Sequence, residues 1–110
     1  MIPVQRHLQA VGLSPERRDE YLRLHQAVWP DVLARLSASG IKNYSIFLRG
    51  DLLIAYFEYT GDDYPADMAM IAADPATQAW WNLTDPCQVS LDPSETETLW
   101  VDADEIFHLA

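Results

Sequence analysis

One stretch, Leu52–Tyr59 (LLIAYFEY), constrains the fold of this chain more than any other. Aromatic and β-branched side chains make it a strand. Alternation then sends Leu53, Ala55, Phe57 and Tyr59 to one face, and Leu52, Ile54 and Tyr56 to the other. A strand apolar on both sides needs helices over one face and further cover over the second. Tyr44–Leu48 (YSIFL) reads as a partner strand, and Arg49-Gly50-Asp51 is short enough to turn a hairpin between them.

Helical signals flank this hairpin. Ser14-Pro15-Glu16 opens a helix with a hydroxyl cap, a proline at the first position and an acid in the first turn. The helix is expected to run to about Ser39, stop at Gly40, and bend at Pro30. Leu22, Trp29, Val32, Leu33 and Leu36 would supply its apolar stripe. A second helical segment covers Pro65–Ala73 and restarts at Asp74-Pro75 to run through Thr84. His7–Leu13 makes a first strand. Asp85–Thr98 reads as loop, and Trp100–Leu109 as a last strand, clearest at Ile106–Leu109.

The order β-α-β-β-α-β is the split βαβ of α+β, ferredoxin-like folds, a four-stranded antiparallel sheet with helices on one face. At 110 residues the chain fits one domain, 1–110. A second copy is the economical cover for the other face, so a homodimer is expected; a ligand cavity is the competing explanation.

Charge narrows the partners. With 7 basic and 17 acidic side chains the net charge is -10, which repels phosphate backbones and anionic lipid. Neither nucleic acid nor a membrane is an expected partner, and a neutral ligand suits the field. Cys87 is the single cysteine, read as a packing residue rather than a disulfide or metal ligand. No leader-like start or long apolar run is seen, so the expected location is cytoplasmic. Gly-rich phosphate loops, nucleophile elbows and clusters at metal-ligand spacing are missing from the sequence, so the expectation is chemistry without cofactor or metal.

Tyr21 and His25 stand four apart on the first helix and project from one face. Such a pair is more often structural. Its functional reading rests on an imidazole giving and taking protons around pH 6.5. Trp80-Trp81 is either one core residue and one packed elsewhere, or an apolar platform for a sugar ring. Tyr44, in phase with Ile46 and Leu48, is an ordinary strand aromatic or a hydroxyl offered to a polar ligand. Asp85, Glu58 and Glu105 are candidate bases or capping acids, and His7 and His108 are weaker candidates than His25.

Taken together, these blocks resemble the L-rhamnose mutarotase family. Tyr21-Leu-Arg-Leu-His25-Gln-Ala-Val-Trp29-Pro30 is similar to its Y-x3-H-x3-W-P segment, and Asn43-Tyr44 to the opening of its second strand. Trp80-Trp81 after an Asp-Pro helix start, and the ending Phe107-His108-Leu109, also match. The resemblance runs from about Arg17 to the C-terminus. It implies a dimeric α+β barrel, His25 as proton donor, and Tyr21, Tyr44, Trp80 and Trp81 as sugar contacts. Asp85–Pro93 and Tyr56–Asp63 depart from the rhamnose-specific pattern, and the pattern is similar to relatives tied to L-fucose as well as L-rhamnose.

The implied reaction interconverts the α and β anomers of a 6-deoxy-L-sugar by acid–base ring opening and closure. Rival readings for the same fold are a cofactor-free monooxygenase, a haem-degrading enzyme, or a non-catalytic small-ligand module.

Overall fold

The computed structural model describes residues 3–92, 94 and 98–110. Its strands form one antiparallel sheet: β1 (Gln5–Leu13), β2 (Ile41–Arg49), β3 (Leu52–Tyr59), β4 (Gln88–Val89) and β5 (Val101–Ala103). β1 pairs with β3 from Gln5↔Tyr59 to Gly12↔Leu52, and β2 joins β3 through a turn at Gly50, whose φ is 58°. The other edge of β1 is shared, with β4 on Gly12 and Leu13 and β5 on Leu8 to Ala10. The spatial order β2-β3-β1-β4, with β5 beside β1, is ferredoxin-like, as the element order implied.

The first helical stretch differs from its expectation. It forms a 3₁₀ turn (Pro15–Arg17), α1 (Arg18–Leu24) and a separate α2 (Pro30–Ala38). Proline excludes helical backbone from the residue before it, and Trp29 is extended at ψ 134°. Pro30 therefore starts a helix rather than bending one. The break also dissolves the predicted stripe: Val32 is buried, whereas Leu22 and Leu33 are exposed and Tyr21 takes the core position on α1. Ser14 makes no side-chain cap bond; its carbonyl accepts from the Arg17 amide instead.

The second helical pair follows its signals closely. α3 (Tyr64–Ala73) is capped by the Asp63 carboxylate, which accepts from the Ala66 amide at 3.2 Å. α4 (Pro75–Thr84) is capped by Asp74, which accepts from the Thr77 amide at 3.0 Å and the Thr77 hydroxyl at 2.8 Å.

Val11, Leu13, Leu53, Tyr21 and Cys87 form one core cluster, and Ile41, Phe57, Tyr59 and Ile71 a second, so the face carrying Leu53 and Phe57 lies under the helices. The other face carries Leu8, Phe47 and Val89, all exposed. Gly12 is obligatory for the shared edge, since a Cβ there would sit 2.7 Å from the Val89 carbonyl oxygen.

A bulge interrupts the β2–β3 ladder. Lys42 opposes Glu58 and Ser45 opposes Tyr56, so Asn43 and Tyr44 together oppose Phe57. Asn43 takes the left-handed conformation at φ 48°, which asparagine tolerates, and its amide donates to Glu58 Oε1 at 2.6 Å. The extra residue shifts the alternation so that Ile41 falls opposite Tyr59 on the core face, while Tyr44 stacks on Phe57 with ring centroids 5.5 Å apart.

Two C-terminal expectations need correction. The stretch read as loop contains a 3₁₀ turn (Asp85–Cys87) and β4; its positions 93 and 95–97 lie outside the described residues. The last strand is Val101–Ala103, and Ile106–Leu109 is not a strand. Continuing the β5 register puts Ile106 opposite Gln5, where β1 begins, so among the described residues no strand pairs with the end. Ile106 and Phe107 are 96% and 80% exposed.

Candidate active site

The end of α1 presents His25. Its backbone amide and its ring Nδ1 both meet the Tyr21 carbonyl oxygen, at 3.2 and 2.9 Å. A carbonyl only accepts, so Nδ1 carries the hydrogen and donates. That leaves Nε2 as the proton-exchanging nitrogen. The imidazole stacks on the Tyr21 ring at 4.2 Å and meets the edge of Trp80 at 5.4 Å. Trp29, held by the extended backbone before Pro30, meets Trp80 in the same edge-to-face manner at 5.3 Å.

The two adjacent tryptophans part company. Trp80 is 6% exposed and joins the His25 cluster, whereas Trp81 is 38% exposed and lies outside it. Helical geometry turns neighbouring side chains by about 100°, so the separation follows from their adjacency.

Three tyrosines on this side of the sheet have raised phenols. Burial pushes the Tyr21 phenol up to about 12, with a Gln88 hydrogen bond opposing and the fields of Tyr44, Cys87 and Asp85 adding to the rise. Desolvation, followed by the field of Tyr64, raises the Tyr44 phenol. Desolvation and the Asp102 field do the same for Tyr64. All three remain neutral hydroxyl donors at physiological pH. Desolvation also raises the Asp85 carboxyl. Gln88 Oε1 is buried without a hydrogen-bond partner among the described residues.

The remaining candidates are held elsewhere. Glu58 accepts from Asn43 and, at 2.8 Å, from the Tyr56 hydroxyl. Glu105 pairs with Arg6 through contacts at 2.6 and 3.0 Å. His108 lies in the exposed C-terminal stretch. Cys87 is fully buried, its thiol donating to Glu20 at 3.2 Å and pushed up to about 11 by burial. No group of three or more potential metal ligands occurs among the described residues. Nor is any helix among them long and apolar enough to cross a membrane.

His7 is better placed than its sequence context implied, sandwiched between Phe57 at 5.0 Å and Tyr64 at 4.4 Å with near-parallel rings. Sequence reading did not single out Tyr64, which stacks on His7, or Gln88, whose side chain hydrogen-bonds Tyr21.

Comparison with known proteins identifies the family. Residues 6–109 match the sequence profile of the L-rhamnose mutarotase family. An L-rhamnose mutarotase of Listeria monocytogenes is 34% identical over 109 residues, covering 97% of this chain and all of the relative. An L-fucose mutarotase of Xanthomonas campestris is 38% identical over 95 residues, 83% of this chain and 75% of the relative. The crystal structure of an L-rhamnose mutarotase from Formosa agariphila superimposes with a TM-score of 0.76 at 20% identity, over 96% of this chain and 99% of the other. This chain belongs to the L-rhamnose mutarotase family.

Proposed function

We propose that the protein interconverts the α and β anomers of a neutral 6-deoxy-L-sugar, L-rhamnose or L-fucose, with His25 as the acid. The observation that carries this reading is the His25 ring, fixed through Nδ1 to the Tyr21 carbonyl and flanked by Tyr21 and Trp80. Protonated Nε2 donates to the ring oxygen as the bond to C1 breaks, while a base takes the proton of the C1 hydroxyl. Asp85, whose carboxyl burial makes more basic, serves as that base. Rotation about C1–C2 and reclosure with the proton transfers reversed give the other anomer.

Neutral phenols at Tyr21 and Tyr44 donate to sugar hydroxyls, and Trp80 packs against an apolar sugar face. Trp81 has a smaller part in this scheme. Mutarotation already proceeds in water, and positioned acid–base groups typically add about 10²–10⁴-fold, so one histidine is sufficient. The rival readings for the same fold, oxygenation and haem degradation, are not favoured by relatives named as rhamnose and fucose mutarotases.

The working unit in this reading is a cytoplasmic homodimer. The uncovered apolar sheet face with Leu8, Phe47 and Val89, and the unpaired Ile106 and Phe107, supply the surface that a second copy would bury. Saturation-transfer NMR on the two anomeric protons tests the activity: faster exchange with catalytic amounts of protein supports it, and exchange at the uncatalysed rate refutes it.

A further inference from the structure

The link between α1 and α2 is short, His25 to Trp29, and both of its ends are pinned. At one end the His25 amide and the ring Nδ1 donate to the Tyr21 carbonyl oxygen. At the other, Pro30 keeps Trp29 extended, and the Trp29 carbonyl accepts from the Val32 and Leu33 amides at 3.0 and 3.2 Å. In between, the Gln26 amide donates to the Arg23 carbonyl and the Ala27 amide to that of Leu24. The side chains at the two ends meet the same third ring. Trp80, from α4, lies 5.4 Å from the imidazole and 5.3 Å from the Trp29 indole, at 70° to each.

A single hydrogen bond is a pivot rather than a clamp. The Nδ1 contact fixes one nitrogen of His25 but leaves the ring free to swing about it, and Nε2 swings furthest. Tyr21 stacks on the imidazole at 4.2 Å and limits motion toward one face. Trp80, crossing the imidazole at a steep angle, limits it further. Trp80 is nearly buried, and the rings it meets among the described residues are those of His25 and Trp29. Without Trp29 the Trp80 indole loses the neighbour that keeps it from turning away from the imidazole. Acid catalysis is sensitive to such a change, since a misplacement on the order of 1 Å can cost about 10²-fold.

We propose that Trp29 is a positioning residue for the reaction: by holding Trp80 against His25 it fixes the direction in which Nε2 points. Trp29 acts through those two rings and does not itself bind the sugar. Pro30 belongs to the same device, because it imposes the extended backbone from which the Trp29 indole reaches Trp80. This inference rests on the mutarotase reading above.

Anomer exchange of L-rhamnose and L-fucose is measured with wild type, Trp29→Ala, Trp29→Phe and Val32→Ala. Val32 is a buried residue of α2 outside the ring cluster, so its truncation reports what lost packing alone does. Trp29→Ala is expected to lower kcat about tenfold or more, with a smaller change in KM. Trp29→Phe, which keeps a ring at that place, recovers most of the rate, and Val32→Ala keeps the wild-type kcat. A rise in KM without loss of kcat would make Trp29 a sugar contact, and an equal fall in Val32→Ala would make its role structural; either overturns the proposal. So does a Trp29→Ala protein with wild-type kcat and KM, which leaves the mutarotase reading intact. Wild type that exchanges neither sugar overturns both. Should Trp29→Ala fail to fold, Trp29→Leu takes its place. The His25 ring protons give a second readout that needs no turnover. Their NMR shifts, set in part by the Trp80 ring current, must move when Trp29 is truncated and hold in Val32→Ala; unchanged shifts in the Trp29 variant overturn the proposal.

Discussion

The ring Nδ1 of His25 lies 2.9 Å from the backbone carbonyl oxygen of Tyr21, one helical turn earlier. Helix ends leave carbonyls without amide partners, and here the side chain at the end of α1 joins its own amide in satisfying one. The consequence is a fixed tautomer. Long-range ¹H–¹⁵N NMR of neutral His25 is expected to show a pyrrole-like Nδ1 and a pyridine-like Nε2. The reverse pattern would remove Nε2 as the nitrogen that exchanges protons with the sugar.

Trp80 and Trp81 should separate on mutation. Trp80→Ala removes a buried ring that touches His25 and Trp29, and large aromatic deletions of this kind cost about 3–5 kcal/mol. Trp81 is half-exposed, and Trp81→Ala should destabilise clearly less. Urea unfolding of the two variants checks this; equal losses would contradict the assignment of Trp80 alone to the cluster.

High pH provides a test of Tyr21. Its phenol is raised from 10.0 to about 12 in the folded protein, chiefly by burial. A raised value means the folded state holds the proton more tightly than the unfolded chain. The stabilisation is complete below about pH 10 and lost as the pH rises toward 12. Unfolding midpoints across that interval should fall for wild type, and fall less for Tyr21→Phe. A parallel decline in both proteins would show that other groups control it.

Much of this architecture was legible because local and global signals agreed. Leu52–Tyr59 alternates cleanly, and Asp63 and Asp74 cap α3 and α4 with their own side chains. Tyr21 and His25 share a face at helical spacing, which the stacked rings express. Other features depended on contacts distant in sequence. Pro30 was visible, but it starts α2 rather than bending one long helix, because the residue before it, Trp29, is extended and meets Trp80 across the fold. Ile106–Leu109 has strand composition, but among the described residues no strand pairs with it. The Gln9–Asp102 hydrogen bond joins residues 93 apart, which no local pattern signals.

The uncovered sheet face predicts an assembly. Phe47 is 58% exposed in the single chain, so Phe47→Glu should leave the fold intact while placing charge in the proposed dimer interface. Light scattering after size exclusion is expected to give twice the chain mass for wild type and a shift toward the single-chain mass for the variant. A wild type that is monomeric at micromolar concentration would contradict the expected dimer.

The most direct measurement compares wild type and His25→Ala by saturation transfer between the anomeric protons of L-rhamnose and L-fucose. Loss of the acid should reduce catalysed exchange by about 10²-fold or more, with circular dichroism unchanged. A His25→Ala protein that exchanges either sugar at the wild-type rate would contradict the role given to that imidazole.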